Sequence, residues 1–259
     1  MFLHVPTLAF ATCADRDTPW HRLHPRARLL AALVLVFGIA LIPNGVWPVL
    51  GLYAGVLLLL ILLGQVNPGQ IVRRLGVELA FVGVILLSIL FSGKGTTLVT
   101  LGPLTIAKGS LVNFGSVLGR AVLSLLILNV LTLTTATPAL LQALTELRCP
   151  RLLVNVLESM VRYIAVLADE LATMRRAAQA RSARSGTLLD WGTLGNILGT
   201  LFLRTYGRGE RIHLAMQARG FTGTFPTTRS SAFGWGEWLV LAASAAVVVG
   251  AQYLVWGRG

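Results

Sequence analysis

Charged residues are scarce in this sequence. They make up 12% of the chain, whereas hydrophobic residues make up 55%, and soluble globular domains carry about 25% charged residues. No charged residue occurs at positions 29–72, 79–93, 121–145 or 238–257. Apolar stretches of this length are typical of helices that cross a membrane, which need about 20 residues each. A soluble fold is therefore excluded, and the sequence predicts an integral membrane protein.

Acidic residues and cysteines are also few. There are 10 Asp and Glu against 22 Lys and Arg, and the only cysteines are Cys13 and Cys149. Two cysteines so far apart indicate neither a disulfide framework nor a metal-ligand spacing. No carboxylate pair, P-loop or zinc signature is present, so we expect no catalytic role for this chain. The net charge of +12 indicates membrane orientation and attraction to anionic lipids, and not binding of nucleic acid.

Histidines offer the one remaining candidate for a metal site. His4, His21 and His24 lie near the N-terminus, whereas His213 lies far along the chain. Apart from the acids and cysteine at positions 13–17, no carboxylate or thiol is grouped with them at metal-ligand spacing. We therefore predict that this chain holds no metal ion of its own.

Hydropathy predicts an all-α fold with about five transmembrane helices. Their approximate limits are 27–43, 47–65, 77–93, 111–135 and 237–256. The Pro43-Asn44-Gly45 sequence supplies a turn between the first two helices. Residues 96–106 alternate β-branched side chains around Gly102-Pro103, which indicates a short hairpin or an extended re-entry in an outer loop.

The distribution of basic residues predicts the orientation. Of the 22 Lys and Arg, 6 lie in the short segments 1–28 and 65–76 and 12 lie in 136–236, whereas Lys94, Lys108 and Arg258 lie in the predicted outer segments. Because an excess of Lys and Arg marks the cytoplasmic side, the N-terminus and residues 136–236 are predicted to be cytoplasmic and the C-terminus to be outside. The predicted organisation is a membrane domain at 1–135, a cytoplasmic helical domain at 136–236 and a last transmembrane helix at 237–259.

The cytoplasmic segment has the pattern of two long amphipathic helices. Thr137-Pro138 begins a short helix that Cys149-Pro150 ends. From Arg151 to Arg181 or Arg184, apolar residues recur at i+3 and i+4 and predict one apolar stripe. The stripe consists of Val156, Met160, Tyr163, Leu167, Leu171 and Met174. The second long helix begins near Leu188 and ends at Gly220, since glycine adopts the left-handed conformation of a helix end without a Cβ penalty.

Each long helix ends in an Ala-Arg-small tripeptide. The first is Ala180-Arg181-Ser182 and the second is Ala218-Arg219-Gly220. One such arginine is ordinary capping, which the helix macrodipole favours, but two on neighbouring helices favour a docking function. An alanine-flanked tip is narrow enough for a groove, where the guanidinium can make bidentate contacts with carboxylates of a partner protein. Arg184 lies in a third such tripeptide, so it is an alternative to Arg181.

Four segments carry a resemblance to a known family. Residues 208–221 (RGERIHLAMQARGF) resemble the second coupling motif of the transmembrane components of energy-coupling-factor transporters, the EcfT or CbiQ family. Residues 174–182 (MRRAAQARS) are similar to the first motif, with Ser182 where glycine is commoner. Arg162-Tyr163 and Asp169-Glu170 lie where the family has an Arg-aromatic pair and acids. Residues 21–28 (HRLHPRAR) are similar to an N-terminal motif that usually reads Asp-Pro-Arg-x-Lys.

The resemblance implies a coupling role in ATP-driven import. Such proteins join a substrate-specific membrane subunit to two ATP-binding subunits, identical or different, and their arginine-tipped helices dock in grooves on those ATPases. ATP and magnesium are accordingly expected on the partners, with no cofactor on this chain. The residues that the resemblance assigns to coupling are Ala180, Arg181, Ser182, Arg184, Ala218, Arg219 and Gly220, with Arg162, Arg208, Glu210 and Arg211 in support. Cobalt is the expected substrate, and nickel or a shared vitamin-type system is the alternative.

A stand-alone secondary carrier is the main hypothesis from another class. It would need polar groups or broken helices near the membrane midplane, and the predicted spans offer little beyond Arg120 and the threonines at 132–137. We expect a structural or subunit-facing role for Arg120, and no direct pair with Glu78, which begins the third span. A membrane enzyme is a third class, but the cluster of acids or histidines that it requires is absent from the sequence.

Overall fold

The computed structural model describes residues 20, 23–90, 97–101, 104–181, 191–223 and 234–257. Helices account for nearly all of these residues, so the all-α class is confirmed. The elements in chain order are α1 (Pro25–Ala40), α2 (Trp47–Gly64), α3 (Pro68–Leu90), β1 (Thr97–Leu101), β2 (Leu104–Ala107), α4 (Lys108–Thr134), α5 (Thr137–Glu146), α6 (Arg151–Arg181), α7 (Trp191–Ala218) and α8 (Trp235–Trp256).

The chain forms two compact units. The membrane unit consists of the described residues of Ala11–Ala143 and Ser230–Gly259, and the helical-pair unit consists of those of Leu144–Arg229. Three described helices, α2, α4 and α8, are long and apolar enough to cross a membrane. The helix α1 has only 16 residues, and α3 contains three charged side chains. The total of five spans stays a prediction.

The start of α3 differs from the sequence-based expectation. Residues 65–76 were expected to form a loop before a short span at 77–93, but α3 already begins at Pro68 and has 23 residues. Asn67 caps it, since its Oδ1 accepts a hydrogen bond of 3.1 Å from the backbone N–H of Gly69, and a proline is favoured in the first turn. Arg73 and Arg74 were interpreted as loop residues, although arginine is a good helix former.

The segment before α4 is a hairpin. The strands β1 and β2 pair antiparallel, with Thr100 opposite Thr105 and Leu101 opposite Leu104. Of the two alternatives that the sequence left open, the hairpin is the one that forms.

The core of the membrane unit lies between α1, α2, α4 and α8. Its buried residues include Leu35, Ile39, Val49, Tyr53, Leu57, Ile127, Leu131 and Ala251. At Gly38, an added Cβ would lie 2.5 Å from the Tyr53 hydroxyl and 2.6 Å from a methyl group of Val248. Since real Cβ atoms do not make contacts this short, the packing of α1 on α2 and α8 requires glycine at this position.

A buried arginine joins the N-terminal segment to the end of α4. Arg28 is only 6% exposed, and its Nη1 donates to the carbonyl of Thr134 at 2.8 Å. Its Nε and Nη2 donate to the carbonyl of Leu23 at 3.1 and 2.9 Å, while Trp20 Nε1 donates to Thr134 Oγ1 at 3.2 Å. A guanidinium has enough donors to satisfy several carbonyls at once, so Arg28 stabilises the place where α4 ends and α5 follows.

Near the middle of α4, Arg120 stabilises the turn between α1 and α2. It donates to the carbonyl of Ile42 at 2.7 Å and to Asn44 Oδ1. The backbone N–H of Gly45 (φ 91°) donates to Ser116 Oγ at 2.9 Å, so two residues of α4 hold this turn. Glu78 instead accepts a hydrogen bond of 2.8 Å from Asn129 Nδ2, and no Arg120–Glu78 pair forms, as the sequence predicted.

Candidate functional site: the arginine-tipped helix pair

The first candidate tip is the C-terminal end of α6. This helix is described over 31 residues, and Arg181 is the last of them. Ala180 and Arg181 are both exposed. At the predicted end of the helix, the positive charge of Arg181 is favoured by the partial negative charge of the helix macrodipole. Ser182 and Arg184 lie outside the described residues, so the choice between Arg181 and Arg184 as the docking residue stays open.

The second candidate tip is a glycine-capped helix end. The helix α7 ends at Ala218, and Gly220 has φ 81°, in the left-handed region. The N–H of Gly220 donates to the carbonyl of Gln217 at 2.9 Å, and that of Phe221 donates to the carbonyl of Met216 at 3.0 Å. These two bonds satisfy the last carbonyls of the helix and reverse the chain. Arg219 therefore occupies the terminal position, with its side chain exposed, as the sequence predicted.

An acidic residue of α6 connects the two helices. Glu170 forms an ion pair of 2.9 Å with Arg208 Nη1 and a longer one of 3.7 Å with Arg204 Nη1. Its side chain is only 15% exposed, whereas that of Arg204 is 62% exposed, so the bond to Arg208 is the stronger of the two. Arg204 and Arg208 are four residues apart and therefore share a face of α7. This spacing does not identify Glu170 as their partner, because periodicity carries no information about the neighbouring helix.

A second contact gives the relative direction of the helices. Asn155 Nδ2, near the start of α6, donates to the carbonyl of Gly223 at 2.7 Å, just beyond the tip of α7. Glu170, further along α6, meets Arg208, earlier along α7. The helices are therefore antiparallel, and their two arginine tips lie at opposite ends of the pair. At 1.5 Å per residue, the α6 segment from Asn155 to Arg181 is about 39 Å long.

The other predicted supporting residues lie on the surface. Arg162, Glu210 and Arg211 are exposed. His213 contacts Gln217 through their Nε2 atoms at 3.0 Å, one turn apart on α7. Within the described ranges, no group of three His, Cys, Asp or Glu comes together as a metal site; His4, His21 and Cys13 lie outside those ranges.

The helical pair buries very little of its apolar surface. In the described part of 144–229, Val154 is the only buried residue. The first two of the six residues in the predicted stripe are exposed, Val156 at 48% and Met160 at 55%, and the remaining four are half-buried. Further exposed apolar residues are Leu152, Leu153, Leu198, Phe202, Leu203, Tyr206 and Leu214. A surface this apolar is typical of a protein–protein interface.

Comparison with known proteins agrees with this architecture. The profile of the CbiQ family, described as cobalt transport protein, matches residues 16–230. The chain belongs to this family. The resemblance to the EcfT or CbiQ family is thereby confirmed over residues 16–230, and this CbiQ-family protein is a transmembrane component of an energy-coupling-factor transporter.

Several relatives align with most of the chain. The energy-coupling factor transporter transmembrane protein EcfT of Listeria innocua is 30% identical over 227 residues, which are 83% of this chain and 85% of the relative. The nickel permease LarQ of Lactiplantibacillus plantarum is 29% identical over 242 residues, 91% and 79% of the two chains. The EcfT protein of Streptococcus equi is 29% identical over 245 residues, 89% of each chain. These relatives are membrane transport components and not enzymes.

Proposed function

We propose that this chain is the coupling subunit of an ATP-driven importer, and that Arg181 and Arg219 dock on two separate ATP-binding subunits. The observation that carries the proposal is the position of the two tips. Each is an exposed arginine at a helix end, and the tips lie at opposite ends of one antiparallel pair, roughly 39 Å of helix apart. Two arginines that far apart reach two grooves, whereas neighbouring tips would share one.

The link between the helices suggests how motion is transmitted. Since Glu170 bonds to Arg208 at 2.9 Å and Asn155 bonds to Gly223 at 2.7 Å, a displacement of one tip moves the other helix as well. Closure of the two ATPases would shift both tips, and the connected helices would carry the motion towards the membrane helices and a substrate-specific membrane subunit. ATP and magnesium belong to the partners in this scheme.

For the substrate, we propose a divalent transition-metal ion, with cobalt as the first choice. The family description supports cobalt, while the nickel permease among the relatives keeps nickel as the alternative and the EcfT relatives keep a shared vitamin-type system. Competition between labelled cobalt and unlabelled nickel during uptake by the reconstituted complex distinguishes the two metals.

Charge reversal at the tips tests the coupling role. Arg219→Glu in the co-expressed complex should lower ATP-dependent uptake and the yield of bound ATPase subunits by about tenfold or more, because truncating or reversing a desolvated ion pair costs about 2–5 kcal/mol. Arg181→Glu and Arg184→Glu, made separately, identify which arginine docks at the first tip. Arg148→Glu is the matched control, since it reverses an exposed charge that lies before α6 and outside both motifs.

The outcome that contradicts the proposal is normal uptake by the double variant Arg181→Glu, Arg219→Glu with the ATPases still bound. A stand-alone carrier predicts the opposite results for co-purification and for the ATP dependence of transport. Such a carrier would purify without ATP-binding subunits and would transport its substrate in vesicles that contain no ATP.

A further inference from the structure

A cavity of about 510 Å³, lined by both charged and apolar side chains, lies between the first turns of α3 and the last turns of α4. Hydrophobic packing of Ile71 against Val130 and Leu133 holds the two helices together beside it. The cavity is lined by Gln70, Arg73, Arg74, Val77, Glu78 and Leu133.

Two of the lining residues are arginines, which give the cavity positive charge. Arg74 Nη1 donates to Thr132 Oγ1 at 3.3 Å, which uses one of the five N–H donors of the guanidinium. Arg73 is exposed. Over the part of the chain that the structure describes, neither arginine forms an ion pair with an acidic side chain. Two cationic groups that face one cavity in this way form a site for an anion.

The cavity is also lined by one acidic residue. Glu78 is one helical turn beyond Arg74, and its Oε2 accepts the hydrogen bond of 2.8 Å from Asn129 Nδ2. Asn129 is itself buried and also donates to the carbonyl of Leu125 at 3.0 Å, so the Glu78 carboxylate is held against α4. An anion is therefore attracted to the two arginines and repelled from Glu78.

The cavity lies at a definite end of the membrane unit. Thr132, which contacts Arg74, precedes by two residues Thr134, to which Arg28 and Trp20 bond. Tryptophan and arginine are typical of the membrane–water interface, and the predicted orientation makes this end cytoplasmic. In a bilayer, the lipid phosphate groups of the inner leaflet lie at this level.

We propose that the cavity binds the phosphate group of an anionic phospholipid from the inner leaflet. Arg73 and Arg74 would donate charge-assisted hydrogen bonds to the phosphate oxygens. Val77 is 75% exposed one turn deeper than Arg73, and it offers apolar surface to an acyl chain. A free phosphate ion has the same headgroup chemistry but gains nothing from Val77, which is why the lipid is favoured. The site does not depend on Arg181 or Arg219 and is independent of the coupling function.

Retention of lipid by the intact chain tests this proposal. The protein is reconstituted in nanodiscs of phosphatidylglycerol and phosphatidylethanolamine, released into detergent and weighed by native mass spectrometry. Wild type should retain about one more phosphatidylglycerol per chain than R73Q/R74Q, since that variant removes both charge-assisted contacts. The control R175Q/R176Q loses the same charge from an adjacent arginine pair on α6 and should retain as much lipid as wild type.

Three results would overturn the proposal. The first is equal retention by wild type and R73Q/R74Q. The second is equal retention of phosphatidylethanolamine and phosphatidylglycerol by wild type. The third is loss of the bound lipid when inorganic phosphate is added in excess, which would identify a site for free phosphate. If R73Q/R74Q does not yield monodisperse protein, R73Q alone serves, because the Arg73 side chain is exposed, and the same reduction is expected.

Discussion

At the scale of single residues, two positions require glycine for different physical reasons. Gly220 is required by its backbone, because φ 81° is strained for any residue with a Cβ. Gly38 is required by its neighbours, since the Tyr53 hydroxyl and Val248 occupy the space that a Cβ would take. The sequence predicted the first from its place after an amphipathic helix. It did not predict the second, because a close approach between helices depends on residues far away in the chain.

Gly38→Ala should destabilise the membrane unit by about 1–3 kcal/mol, as overpacking of a filled core does. The measurement is thermal unfolding of the detergent-solubilised protein. Gly51→Ala is the matched control, because nothing lies within 4 Å of the added Cβ on α2, and this variant should unfold close to wild type. Equal unfolding temperatures of the two alanine variants would contradict the requirement for glycine at position 38.

Tyr53→Phe supplies a second check on the same contact. Among the described residues, the buried Tyr53 hydroxyl has no hydrogen-bond partner, so its removal should cost little by itself. Combined with Gly38→Ala, it removes the nearest atom that the new methyl group would meet. The double variant should therefore unfold at a higher temperature than Gly38→Ala alone.

At the scale of helices, periodicity and capping signals predicted most elements, and packing decided the rest. The limits of α2, α4 and α8 agree with the apolar runs, the start of α6 agrees with Cys149-Pro150 and the end of α7 agrees with Gly220. The early start of α3 does not follow from hydropathy, because Arg73 and Arg74 interrupt the apolar pattern there. The antiparallel packing of α6 and α7, which separates the two tips, could not be predicted, because an apolar stripe indicates a buried face without specifying the direction of the helix that covers it.

The α6–α7 link should weaken when its acid is neutralised. Glu170→Gln removes both ion pairs at a site that is partly shielded from water, and we expect a loss of about 0.5–1 kcal/mol. The readout is faster amide hydrogen exchange in α7 around Arg204 and Arg208. Glu158→Gln, an exposed substitution on the same helix, is the control and should leave exchange unchanged. Equal exchange in the two variants would show that the ion pairs contribute nothing.

At the scale of the whole molecule, the sequence predicted a membrane protein with a basic cytoplasmic segment, and family membership agrees with the membrane location. The division into two units follows from composition, since one is mostly apolar and the other is amphipathic. Composition does not determine the number of spans, because α1 is short at 16 residues and α3 contains three charged residues.

Thiol labelling tests the predicted orientation. In intact cells, a membrane-impermeant thiol reagent should not reach Cys149, which precedes α6, because the excess of arginine keeps this segment in the cytoplasm. In a variant without native cysteines (Cys13→Ser, Cys149→Ser), Thr100→Cys in the hairpin should react in intact cells. Labelling of Cys149 without permeabilisation would show that the topology is the reverse of the predicted one.

The small number of buried residues in the helical pair affects how much of this protein accumulates in the cell. With Val154 as the only buried residue in the described part of 144–229, these helices have little burial of their own to stabilise them. A chain made without its partners would present apolar helices to chaperones and proteases. The supply of partner subunits would then set how much of this protein accumulates, and balanced synthesis of all subunits becomes a condition for its survival.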